Sequence, residues 1–320
     1  MQVQATDQSK IQNPKSIIEI SPILRKELRG RMRTPRAHTI LAVYLAIVSA
    51  MALFLYIGAA ISAPRANSNN GSIGISLFSV LVGMQVVLVC FIAPALTVSA
   101  ISSERERMTY DSLRATPLGA RQIALGKLLS ALGYVSLAVL ATLPLFSIVF
   151  LLGGIELVQV LMALSVVLAS AFLFTALGLF VSSRMRSTVG ATILTYAITL
   201  GVVLGLPVLL LIGGSIISRL AAPAVTSIGP TATITPAMVV AGLMATLALS
   251  VSPITAIVIS QLAYQETGNA FSVAAPFLYG ATGNGFIVPS PFIILCCLYV
   301  LMGLALLGLV VRRIGRAESV

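Results

Sequence analysis

The sequence predicts an all-α integral membrane protein with six transmembrane helices, an N-terminal interfacial helix, a short cytoplasmic helix and an external re-entrant hairpin before the last span. Three observations predict it. Only 9 % of the 320 residues are charged and the mean hydropathy is +1.04, whereas soluble domains carry roughly a quarter charged residues. Six stretches without Lys, Arg, Asp or Glu, over about 38–64, 75–103, 128–155, 157–183, 187–218 and 291–311, each supply the ~20 apolar residues that a bilayer crossing needs. The charge is also one-sided. With the N-terminus cytoplasmic, the inner loops collect Lys10, Lys15, Arg25, Lys26, Arg29, Arg31, Arg33 and Arg36, then Arg105, Arg107, Arg114, Arg121 and Lys127, then Arg184 and Arg186, then Arg312, Arg313 and Arg316. Only Arg65 and Arg219 fall outside, which is the positive-inside pattern at nearly full strength.

Residues 1–15 read as a disordered cytoplasmic tail, without the basic stretch and short apolar core of a cleaved signal peptide. Over 16–36, Ser21-Pro22 supplies an N-cap and a proline at the first helical position. Ile23, Leu24, Leu28 and Met32 then share one face, while Arg25, Lys26, Glu27, Arg29, Arg31 and Arg33 occupy the others; this is the pattern of an amphipathic helix lying in the interface. Residues 37–320 form one transmembrane domain, with spans at about 38–62, 75–102, 124–152, 157–182, 188–218 and 291–311.

The connections follow from composition. The Pro, Asn, Ser and Gly content of 63–72 marks an external loop, Gly153-Gly154 a tight external turn and 182–187 a tight internal one. The segment 103–127 is the longest internal loop. In 220–290 an uncharged run, 237–262, is long enough to cross, but a seventh crossing would carry Arg312, Arg313 and Arg316 outside, and Ser252-Pro253 interrupts it. It reads as a re-entrant or interfacial hairpin whose first arm starts at Thr235-Pro236, followed by an external loop over 265–290.

The residues that would carry chemistry are few. Ion-coupled carriers usually hold ionisable groups at membrane depth, and none is expected there: Glu156 opens a helix at the external face and Lys127 one at the internal face, both with heads that reach water. His38 has no second histidine or paired carboxylate beside it, and Cys90, Cys296 and Cys297 lie within spans as apolar packing residues. No catalytic or metal-ligating set is expected. Gly126-Lys127 follows Gly119 at the wrong spacing for a phosphate loop, and Leu128 stands where Ser or Thr would ligate magnesium, so no cofactor is expected on this chain. The net charge of +11 is spread over loops at the membrane face, where anionic lipid and not nucleic acid is the partner.

Two constellations remain. Glu104, Arg105, Glu106, Arg107, Thr109, Tyr110 and Leu113 form a short polar helix stopped at Thr116-Pro117, which is either a solvated loop or a docking surface. In the fifth span Thr188, Thr192, Thr195, Tyr196 and Thr199 fall on one stripe. Such hydroxyls more often bond their own helix or a neighbour; Gln85 in the second span is the other polar residue.

The internal loop resembles that of the permease subunits of type 2 ABC exporters, in which Glu-x-Glu-x-x-Thr and a Leu precede Thr-Pro-Leu and Gly-Lys-Leu-Leu. Here these are Glu104, Glu106, Thr109, Leu113, Thr116-Pro117-Leu118 and Gly126-Lys127-Leu128-Leu129. The family's opening Pro-x-x-x-Lys-Glu-Leu is matched by Pro22, Lys26, Glu27 and Leu28. One departure is Met108, where the family usually has Gly. The resemblance implies a non-enzymatic permease subunit of an exporter, paired with a second permease, identical or related. It implies the second and fifth spans near the two-fold axis, where Gln85, Thr192, Thr195, Tyr196 and Thr199 would line the path or the dimer interface. Each permease would rest on a separate ABC ATPase that holds ATP and Mg and pushes on 104–113, the coupling helix. It also implies the cytoplasmic membrane of a prokaryote, with both termini cytoplasmic. An ion-coupled secondary carrier and a non-transporting membrane scaffold are the alternative readings.

Overall fold

The computed structural model describes residues 30, 35–62, 70–106, 108, 119–210, 212–213, 244, 246–274 and 287–316. Among them, six helical segments are long and apolar enough to cross a membrane: His38–Gly58, Gly74–Ala95, Ala120–Leu152, Leu157–Arg184, Thr188–Leu210 and Pro291–Gly315. They coincide with the six expected spans. The expected interfacial helix over 16–36 falls almost wholly outside the described residues, as does the start of the external hairpin at Thr235-Pro236.

In chain order the elements are α1 (Pro35–Ser62), α2 (Asn70–Ala95), α3 (Ser102–Glu106), α4 (Ala120–Leu140), α5 (Leu143–Leu152), α6 (Leu157–Arg184), α7 (Thr188–Leu200), α8 (Pro253–Thr267), β1 (Ser272–Ala274), β2 (Ile287–Pro289) and α9 (Pro291–Arg316). Helix α6 is the centre of the bundle and packs against α9, α2, α7, α4 and α8. Lipid tails are as apolar as leucine, so membrane helices associate through close packing of small residues more than through hydrophobic burial. Accordingly α6 buries Ala163, Ala169, Ser170, Ala171, Thr175, Ala176 and Gly178. Its larger side chains interlock with their neighbours: Phe174 meets Tyr299 of α9 edge-on at 6.0 Å, and Val166, Leu173 and Phe174 share one core with Phe78, Leu81 and Val86 of α2 and Leu295 of α9.

Three spans depart from the continuous helices expected. The second ends its regular helix at Ala95, not near 102, because Pro94 has no N–H for the carbonyl of Cys90; turns closed by Thr97 N–H and Val98 N–H on the Pro94 carbonyl follow, at 3.0 and 2.8 Å. The third is broken at Ala141–Thr142, between α4 and α5, with Pro144 opening α5. The fifth runs through a wide turn at Gly201–Gly205 before helix resumes at 206–210. A fourth difference lies in 265–290, expected as loop: α8 extends to Thr267, and β1 pairs antiparallel with β2, Val273 opposite Val288.

At Ser252-Pro253 the chain turns from helical residues 246–250 into α8. Ser250 and Ser252 at this turn are fully buried. Its open backbone is covered by protein: the Tyr299 hydroxyl donates to the Val251 carbonyl at 2.7 Å, and the Thr255 hydroxyl to the Ser252 carbonyl at 3.0 Å. Tyr299 lies eight residues into α9, about 12 Å from its start by the helical rise. At the other end of α8, Gln261 Nε2 donates to the Gln159 carbonyl at 3.1 Å and the Tyr264 hydroxyl to the Glu156 carboxylate, fixing α8 to the start of α6.

Candidate functional site

Five residues of α3 bind three spans together at one end of the bundle. Its first turn leaves backbone N–H groups without helical partners, and these are supplied from α6: Ser182 Oγ accepts both Ile101 N–H and Ser102 N–H at 3.0 Å. Ser102 and Ser182 are fully buried. On the side of α4, Glu104 Oε1 lies 2.7 Å from Lys127 Nζ, which also donates to the Ala100 carbonyl at 2.9 Å. Toward α7, the Glu106 carboxylate accepts Thr188 N–H and the Thr188 hydroxyl, each at 2.7 Å. Glu106 thus caps the N-terminus of α7, where a negative charge is stabilised by the unpaired amides and the helix dipole. Ser187 caps the same helix from within, its Oγ accepting Gly190 N–H at 3.1 Å.

Lys127 is a correction to the sequence reading. Its head does not reach water: the side chain is 9 % exposed and its ammonium is held by Glu104 and a carbonyl, because α3 folds back over the first turns of α4. Of the expected docking residues, Glu104, Arg105 and Glu106 stand on α3, while Arg107, Thr109, Tyr110 and Leu113 lie outside the described residues. So do Arg25, Lys26, Glu27 and Arg29 of the interfacial helix. Glu104 and Glu106 are engaged by their own chain, to Lys127 and to α7.

Met108 follows α3 with φ of +56° and donates its N–H to the Arg105 carbonyl at 3.2 Å. This left-handed conformation costs a residue with a Cβ about 1–2 kcal/mol, and it is where the resembling family carries Gly. Met108→Gly is therefore expected to stabilise the chain by about 1 kcal/mol, seen as a higher thermal midpoint in detergent.

The other candidates do not gather at one point. Thr192, Thr195 and Thr199 each donate to the carbonyl four residues back, at 2.8, 2.7 and 2.9 Å. Thr195 and Thr199 are buried within the chain, so the stripe faces its own bundle and serves the helix. Tyr196 alone reaches another span: its hydroxyl donates to the Phe91 carbonyl at 3.0 Å, and the two rings stack with centroids 5.9 Å apart. Gln85 lies elsewhere, with Nε2 donating to Thr142 Oγ1 at 3.0 Å. Sequence reasoning missed Ser182 and the pairing role of Lys127; the available signal was an isolated cation within two turns of a helix start, in a loop rich in carboxylates.

Helices of this length packed around a small-residue core make this a multi-pass membrane protein. Residues 21–311 match the ABC-2 family transporter protein family, and the chain belongs to that family. It is thereby a membrane component of an ABC transporter, a permease subunit of the kind that generally pairs with ABC ATPase subunits. No match is found among curated proteins.

Proposed function

We propose that the chain is the permease subunit of an exporter in the cytoplasmic membrane of a prokaryote, that its end bearing α3 is cytoplasmic, and that α3 passes the motion of a separate ATPase into the spans. ATP and Mg are held by that ATPase, and a second permease, identical or related, completes the path. The single observation carrying this reading is the attachment of α3 to α4, α6 and α7 by charged and capping bonds, since a loop fastened to three spans cannot move without them. The one-sided distribution of Lys and Arg supports the orientation.

Glu106→Ala tests the transmission, with Ser187→Ala as its control. Both remove one capping interaction from α7 and cost about 1 kcal/mol, but only the first removes the carboxylate link between α3 and α7, leaving the long 3.4 Å bond from Ser102 Oγ to Thr188 Oγ1. In membranes holding the chain and its ATPase, Glu106→Ala is expected to preserve assembly and to uncouple ATP hydrolysis from export, while Ser187→Ala preserves both. Equal coupling in the two variants would reduce α3 to a solvated loop. Orientation is checked separately with Met108→Cys and Phe271→Cys, at positions 87 % and 76 % exposed, in a background without the native cysteines. An impermeant thiol reagent is expected to label them from opposite sides of the membrane.

A further inference from the structure

The break in the third span lies far from both ends of the bundle. Pro144 removes the N–H that would bond the Leu140 carbonyl, and Leu145 N–H bonds the Thr142 carbonyl at 2.9 Å in place of that of Ala141. Two successive carbonyls therefore lack their regular helical partners. A polar cluster surrounds this point. Thr142 Oγ1 donates to the Val139 carbonyl at 2.7 Å and accepts the Gln85 amide of α2 at 3.0 Å. Tyr44 of α1 adjoins Gln85 and Thr142, and its hydroxyl reaches hydrogen-bonding geometry with neither of them nor with any other of the described residues. All three side chains are almost wholly buried, at 2 % for Tyr44, 3 % for Gln85 and 1 % for Thr142. A buried hydroxyl with no partner is costly, and helix breaks at proline are where a span can bend.

We propose that the third span is hinged at Ala141–Thr142 and that Tyr44, Gln85 and Thr142 set its two positions. In the position seen, the Gln85 amide holds Thr142. In the other, the hinge bends and the Tyr44 hydroxyl donates to a carbonyl opened at the break. The motive force would enter through Lys127, about 22 Å earlier along the span by the helical rise. That cause rests on the coupling role proposed for α3, whereas the hinge itself is read without any ATPase.

The test uses the full chain in lipid nanodiscs, in a background without the native cysteines, with spin labels at Leu129 and Leu151. These exposed positions lie on either side of the break. The hinge predicts two distances between them. Tyr44→Phe should leave the thermal midpoint unchanged or raised and shrink the minor population about fivefold, the effect of one ordinary hydrogen bond. Thr142→Val should enlarge that population. A single distance shared by all three proteins overturns the proposal, and so does a Tyr44→Phe variant that melts lower, because its hydroxyl would then be bonded in the major state. Either failure leaves the permease reading in place.

Discussion

Lys127→Met is expected to destabilise the protein by about 2–3 kcal/mol. Removing one partner of a buried ion pair leaves the other charge without compensation, which in full burial costs about 3–5 kcal/mol. Glu104 is 23 % exposed, so water screens part of that penalty and the lower range applies. The Ala100 carbonyl also loses its donor. Glu104→Gln should cost less, because its amide oxygen still accepts from the ammonium. The double variant Lys127→Met with Glu104→Met should recover part of the loss, as nothing charged is then left buried. Thermal unfolding of the unsubstituted protein, Lys127→Met, Glu104→Met and the double variant in one detergent gives the coupling energy directly. A double variant no better than Lys127→Met alone would show that packing, not charge, sets the effect.

Gly178→Val is expected to disrupt the bundle at the contact between α6 and the end of α2. A Cβ at this position would lie 2.4 Å from Thr97 Oγ1, and 3.1 and 3.2 Å from the Pro94 carbonyl oxygen and Cα. Two of these are backbone atoms, held by the turn at Pro94 and by Thr97 Oγ1, which donates to the Thr175 carbonyl at 2.9 Å. They cannot retreat without breaking that bond. Overpacking of a tight core costs about 1–3 kcal/mol; Gly178→Ala should fall in that range, and valine should exceed it. Gly83→Ala, where none of the described residues places an atom within 4 Å of the added Cβ, is the control. Yield of folded protein and the thermal midpoint measure the difference, and equal midpoints for Gly178→Ala and Gly83→Ala would remove the claim.

The spans were legible because crossing a bilayer imposes a length and a composition that each segment must meet by itself. Prolines 94 and 144 were equally visible, but a hydropathy run does not register where a helix loses an N–H, and both breaks were absorbed into continuous spans. The β1–β2 ladder has three residues per strand, too few for alternation to show. At the site, the residues of the Glu-x-Glu and Gly-Lys signatures could be found, yet not that they are each other's partners. Glu104 and Lys127 are 23 residues apart, and Glu106 and Thr188 are 82. Only the return of α3 across α4, α6 and α7 brings them together, and no local spacing encodes that return. The threonine stripe shows the converse: its periodicity was plain, but which way it faced depended on neighbours.

The turn at Ser252-Pro253 also sets an order of events during synthesis. Its Val251 carbonyl is satisfied by Tyr299, 48 residues later in the chain, and Ser260 Oγ on α8 accepts Phe292 N–H at 3.0 Å. Until the last span has been made, the Val251 carbonyl lacks this donor and Ser260 Oγ lacks this partner. A nascent chain halted before 291 therefore keeps the bonds from α8 to the start of α6 but leaves the Val251 carbonyl without this donor. The final span completes its predecessor as it inserts, and truncated products should carry an exposed, recognisable defect for membrane proteases.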